Sequence, residues 1–167
     1  MEFNEIRTNP GQYIYKIKNH IKYIKTFSGK EIYDERNGPK IALNKGKVAF
    51  QDCISYLETL QPINALKLSK QITIEINESE DKEKLLEKKF MNDAINSIKI
   101  ANELKHLNFH YDYGSSNPEI SCVIQVVDDN VSNFYRRNNI LNPNYNYVGI
   151  TITGIKKKKF LVYCTFC

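Results

Sequence analysis

Apolar residues recur at helical spacing in the first part of the chain. Ile14, Ile17, Ile21 and Ile24 lie three or four residues apart behind Asn9 and Pro10. That period predicts an amphipathic helix with one buried stripe. Asn9 suits its N-cap, and Pro10 suits its first position, where a missing N–H costs little. Tyr13, Tyr15 and Tyr23 flank the stripe. Ser28-Gly29 and Asn37-Gly38-Pro39 then mark a loop from about 26 to 44, with a short extended piece around Ile32 or Ile41. A second helix is predicted over 45–60, capped by Asn44 and stopped by Gln61-Pro62. Phe50, Cys53, Ile54 and Leu57 form its buried face.

The pattern over 66–76 fits two templates. Ile72, Ile74 and Ile76 alternate like a strand, whereas Leu66, Leu68 and Ile72 suit a helix. Residues 77–90 mix charges of both signs, and Ser79 can cap a long helix over 80–105 whose first turn is acidic. Leu86, Phe90, Met91, Ala94, Ile95, Ile98, Ala101 and Leu104 give that helix a broad apolar face, a core pattern rather than a cofactor box. Asn117-Pro118-Glu119 opens a further helix with Ile120, Val123, Ile124, Val127 and Val131 on one face. The Asn-rich stretch 136–145 reads as loop. Tyr147–Thr153 and Phe160–Phe166 are β-branched and aromatic, and Gly154–Lys159 joins them as a hairpin. Helices early and strands late, with no regular βα alternation, predict an α+β fold in one domain over 1–167.

Composition narrows the function classes. At 167 residues, with 41% hydrophobic and 26% charged residues, the chain can build a core and is not of disordered composition. No run approaches the roughly 20 apolar residues of a membrane span. The formal charge is +5, and Lys156-Lys157-Lys158-Lys159 supplies most of it. Acids scattered among the lysines, without a basic stripe and interleaved aromatics, argue against nucleic acid as partner. Met1-Glu2-Phe3-Asn4-Glu5 has neither a basic n-region nor an apolar h-region. A cytoplasmic chain, cytoskeleton- or cilium-associated, is therefore the expectation; a removed leader would make it extracellular.

Candidate chemistry is sparse. Cys53, Cys122, Cys164 and Cys167 are too few and scattered for a disulfide scaffold. Cys164 and Cys167 have metal-like spacing, but on a strand they point to opposite faces. His106 and His110 are four apart, as in a helical metal pair, with only Asp112 as a nearby third ligand. Two partly exposed loop histidines and no bound metal are expected, and His20 is expected to be solvated. There is no Gly-rich phosphate loop or nucleophile elbow.

Three segments carry a resemblance: Val126-Val127-Asp128-Asp129-Asn130-Val131, Arg136-Arg137-Asn138-Asn139-Ile140-Leu141-Asn142-Pro143 and Tyr147-Val148-Gly149-Ile150. Together they resemble the "DDGV…HRKNIFNP…YVGIA" signature of the CAP superfamily, the SCP-like domains of cysteine-rich secretory, venom-antigen and pathogenesis-related proteins. Phe3–Pro10 is similar to that family's opening helix, Lys45–Phe50 to its second, and Leu66–Ser69 to its "L-x-x-S" segment. The resemblance implies an α-β-α sandwich, with a small, mostly antiparallel sheet between helices. It also implies a cleft where two histidines and two glutamates can hold a divalent cation.

This chain departs from the family's site. Arg136 stands where the family has the histidine of its "HR" motif, and a guanidinium cannot ligate a cation. Phe109 stands where the "ENI-x-YG" motif has its glutamate, and the "GH-x-G" loop has no counterpart. The expectation is a non-catalytic structural or protein-interaction module without a cofactor, a subunit of a larger intracellular assembly. A lipid- or sterol-binding module is the alternative, and a hydrolase with a rearranged site ranks last. A buried Arg136 would need an acid, with Asp112 first and Asp128 or Asp129 as alternatives. The Lys156–Lys159 turn is the expected interaction surface, matched to an acidic protein such as a cytoskeletal polymer.

Overall fold

Local capping sets the first helices. α1 (Glu2–Thr8) ends at Asn9, whose side chain then accepts from the Gln12 N–H and caps α2 (Pro10–Ile21). Pro10 takes the first turn, as its fixed φ favours. Phe3, Ile6 and Arg7 are buried on α1, and Tyr13, Ile14, Ile17 and His20 on α2. In the computed structural model the described residues are 1–35, 40–73, 95, 96, 99, 107–114, 117–129, 132–155 and 159–167. They form two compact units, one from residues 1–65 with 114–143, the other from 66–113 with 144–167. Helix and antiparallel sheet are both present, in an α+β composition.

The first unit contains a small sheet where the pattern predicts a loop. β1 (Ile24–Phe27), β2 (Lys30–Tyr33) and β3 (Ile41–Ala42) pair antiparallel in that order. Ile24 therefore belongs to a strand and not to the helical stripe. Ser28 and Gly29 both have positive φ, as a two-residue hairpin turn requires. Ile32 and Ile41 do lie in extended pieces, paired through Ile32↔Ala42 and Tyr33↔Ile41.

α3 (Lys47–Thr59) buries Ala49, Phe50, Cys53, Ile54 and Leu57. Fully buried Phe50 contributes about 1.5–3 kcal/mol by leaving water. Its N-cap is Gly46 rather than Asn44. Gly46 has φ +61°, and the Glu31 carboxylate occupies the space a Cβ would fill while accepting from the Lys47 N–H at 2.9 Å. Asn117 caps α4 (Pro118–Val127), accepting from Glu119 and Ile120. This helix stops at Asp128, in the left-handed region, short of Val131. A 3₁₀ turn, Ser132–Phe134, leads into α5 (Tyr135–Ile140), where a loop was expected.

Arg7 is an unforeseen structural residue. Its guanidinium is fully buried, donating to the Asn64 carbonyl at 2.7 Å, the Ile140 carbonyl at 2.7 Å and the Asn142 carbonyl at 2.9 Å. Burial lowers its pKa to about 10, still well above neutrality. Lysine at position 7 keeps the charge but loses the fork that reaches three carbonyls. Arg7→Lys is expected to lower stability by about 1–3 kcal/mol in urea denaturation, the cost of leaving one buried acceptor unsatisfied.

In the second unit, β4 (Lys67–Leu68), β5 (Asn108–Gly114), β6 (Tyr147–Ile155) and β7 (Lys159–Phe166) form a sheet in the order β4-β6-β7-β5. β6 and β7 are the predicted hairpin, in register from Val148↔Phe166 to Ile155↔Lys159. β4 runs parallel to β6, and a 3₁₀ turn at Lys70–Ile72 follows it. The ambiguous 66–76 stretch is thus strand and then turn, with residues 74–76 outside the described ones. The predicted 80–105 helix also lies largely outside them; Ile95, Asn96 and Lys99 within it are helical. Among the described residues no helix is long and apolar enough to cross a membrane.

Candidate functional site

The polar residues of the 126–142 segment converge in the first unit. Phe134, which precedes α5, has no side-chain cap to offer. Asp128 supplies one from six residues upstream of it. Its Oδ2 accepts from the Arg136 N–H at 2.8 Å and the Arg137 N–H at 3.2 Å, the work of an N-cap carboxylate. Its Oδ1 accepts from Arg136 Nε at 2.7 Å. Asp128 is 1% exposed and Arg136 8%, so a buried ion pair doubles as the cap of the short helix.

Arg137 closes the other side. Its Nε donates to the Val126 carbonyl at 2.7 Å and one terminal nitrogen to the Val127 carbonyl at 2.9 Å. A guanidinium at the end of α4 satisfies orphan carbonyls and complements the helix dipole. The other terminal nitrogen reaches Asp52 at 3.0 Å, and the group lies 4.3 Å from the Phe134 ring centroid. Asp129 points elsewhere. Its carboxylate accepts from the Asn44 and Lys45 N–H groups and holds the approach to α3.

Arg136 therefore uses Asp128, one of the two alternative acids, and Asp129 is committed to backbone. Asp112 and Phe109 lie on β5, but their side chains are outside the described ones, so the Arg136–Asp112 pair is too. His106 and Lys156–Lys158 also lie outside the described residues, while Lys159 begins β7. His110 is not an exposed loop residue. It is buried on β5, its ring 5.3 Å from that of Phe166. Among the described residues no three His, Cys, Asp or Glu side chains converge as metal ligands.

His20 is likewise buried rather than solvated, at 3% exposure. Nδ1 lies 2.5 Å from the Tyr33 hydroxyl and Nε2 2.9 Å from Glu119 Oε1. With Nε2–H donating to the carboxylate, Nδ1 of a neutral ring accepts from the tyrosine. Acid, imidazole and hydroxyl in a row resemble a catalytic relay, but Tyr33 is fully buried and burial raises its pKa. The row ends in the core and ties α2, α4 and β2 together. Burial also pushes the Cys53 and Cys122 thiols up to about 12, which keeps them protonated.

The Glu119 carboxyl is held below its ordinary 4.5 by the hydrogen bond from His20, against burial and with help from Lys16. A depressed folded value adds stability above 4.5 that is lost as pH falls through that lowered value. Glu119→Gln is expected to unfold at lower urea than wild type at pH 6. The gap should shrink as pH falls below 4.5 and close once the folded carboxyl is protonated, because protonation makes the two side chains alike. The gap is modest, since the carboxylate is 40% exposed.

Arg7 and Arg137 were not singled out by sequence reasoning. The available signal was an arginine on an apolar helix face (Phe3 and Arg7 are four apart) and a second arginine beside Arg136. Compared with models of known families, with characterised proteins and with solved structures, the chain matches none of them significantly.

Proposed function

We propose that this chain is a CAP-type domain that has become a non-catalytic protein-interaction module, a subunit of a larger intracellular assembly. The observation that carries the reading is Arg136. The resemblance aligns Arg136 with the family's cation-binding histidine, and its guanidinium is buried and bound to Asp128. The neighbouring polar groups of the signature, Asp128, Asp129 and Arg137, are likewise engaged in holding α5, α3 and α4. Side chains used in this way support a structural role, and function must be argued from the site rather than from a fold family. The finer architecture belongs to the same proposal: an α-β-α sandwich of CAP type, with a small, mostly antiparallel sheet flanked by helices.

The partner-facing surface in this reading includes the Lys156–Lys159 turn, opposite an acidic protein surface such as that of a cytoskeletal polymer. Tagged full-length protein, isolated natively, is expected to run in a stoichiometric complex well above 19.5 kDa. Changing all four lysines to glutamine should release it more readily at high salt. A free protein carrying an equimolar sterol or fatty acid overturns the reading in favour of a lipid-binding module. A hydrolytic activity abolished by His110→Ala overturns it in favour of an enzyme.

A further inference from the structure

The outward face of the β1–β2–β3 sheet sets an exposed aromatic side chain among lysines. Phe27, at the end of β1, is 72% exposed, in a position where a polar residue would cost nothing. The register places it opposite Lys30, with Lys25 opposite half-buried Ile32 on the same face. Thr26 and Glu31 pair on the other face, where Glu31 turns to the start of α3. Lys25 and Lys40 share one carboxylate, Asp34, at 3.0 and 3.7 Å. Among the described residues no acid pairs with exposed Lys30. Among the described residues, three lysines against Asp34 leave this face with an excess of positive charge around an aromatic centre.

We propose that this face docks an acidic protein segment, which lays an apolar side chain against Phe27 and Ile32 and its carboxylates against Lys25, Lys30 and Lys40. The inference rests on the reading of the chain as an interaction module and names a surface distinct from the Lys156–Lys159 turn. Charge complementarity selects the occupant. Two lysines already share one carboxylate, so a second can enter without displacing the first. Asp34, set between lysines, would face the phosphates of a lipid headgroup layer, which favours protein over membrane. The two-residue Ser28–Gly29 turn presents Phe27 on paired backbone, so docking needs no loop ordering.

The test uses the full chain, a fluorescent peptide of glutamates around one leucine, its glutamine counterpart, and phosphatidylserine vesicles. Wild type is expected to bind the glutamate peptide in preference, and less tightly as salt rises. Phe27→Ser and Lys30→Glu should each weaken binding by about tenfold, as for an interface anchor, with an unchanged melting temperature. Equal binding of both peptides, undiminished binding by the variants, or preference for the vesicles overturns the surface. Native isolation separates the two readings. If the Phe27→Ser/Lys30→Glu protein still enters the native complex at wild-type level, the surface fails and the module reading stands. A wild-type chain that enters no complex overturns both.

Discussion

Asp128→Ala is expected to cost about 3–5 kcal/mol of folding stability, the penalty for stranding one member of a buried ion pair. Against the 5–15 kcal/mol that holds a typical domain together, such a loss brings the protein near its unfolding threshold. Three bonds disappear at once, from the Arg136 N–H, Arg136 Nε and the Arg137 N–H. The guanidinium of Arg136 is left charged and buried, and α5 loses the carboxylate that caps its start. The double variant Asp128→Ala/Arg136→Met should recover part of the loss, because it removes the buried charge that has lost its carboxylate. It should not recover all of it, because the two backbone donors remain without the carboxylate. Urea denaturation of the single and double variants measures both effects. A single-variant cost below about 1 kcal/mol would mean that the pair behaves as an exposed one and that Arg136 is not a structural residue.

Valine at position 149 is the second large effect. Gly149 lies on β6, where a Cβ would be driven into the Ile72 carbonyl oxygen and the Thr165 hydroxyl. The Thr165 hydroxyl itself donates to the Ile72 carbonyl, so the two groups close over the glycine together. Overpacking of this kind costs typically about 1–3 kcal/mol, and valine belongs at the upper end because its branch cannot rotate away. Gly149→Ala should cost less but still lower the melting temperature. Adding Thr165→Ala should not restore it, since the backbone carbonyl of Ile72 is the obstacle that cannot turn aside. Thermal unfolding of the three proteins decides the point, and a Gly149→Val protein melting like wild type would refute the close approach. The same contact gives a physical reason for glycine within Tyr147-Val148-Gly149-Ile150, quite apart from any resemblance.

Two kinds of information account for what could be read before the structure. Features set by neighbours in sequence were legible. Asn9 with Pro10, and Asn117 with Pro118, announce α2 and α4 because an N-cap acts over two or three residues. The β6–β7 hairpin was legible because β-branched and aromatic residues run together on both sides of one turn.

Features set by distant partners were not. α5 reads as loop because Tyr135–Ile140 has no apolar period; its cap is a carboxylate from the end of another helix. The 26–44 segment reads as loop because its strands are two to four residues long, and the register that stabilises them is a property of the pair. His20 was expected in solvent because its own helix gives it a polar flank. Tyr33 and Glu119, thirteen and ninety-nine residues away, bury it and satisfy both its nitrogens. Sequence alone determined the capped helices and the terminal hairpin. Only the tertiary structure decided where Arg7, His20, Asp128 and Arg137 direct their polar atoms, because burial obliges each to find partners that chain neighbours do not supply.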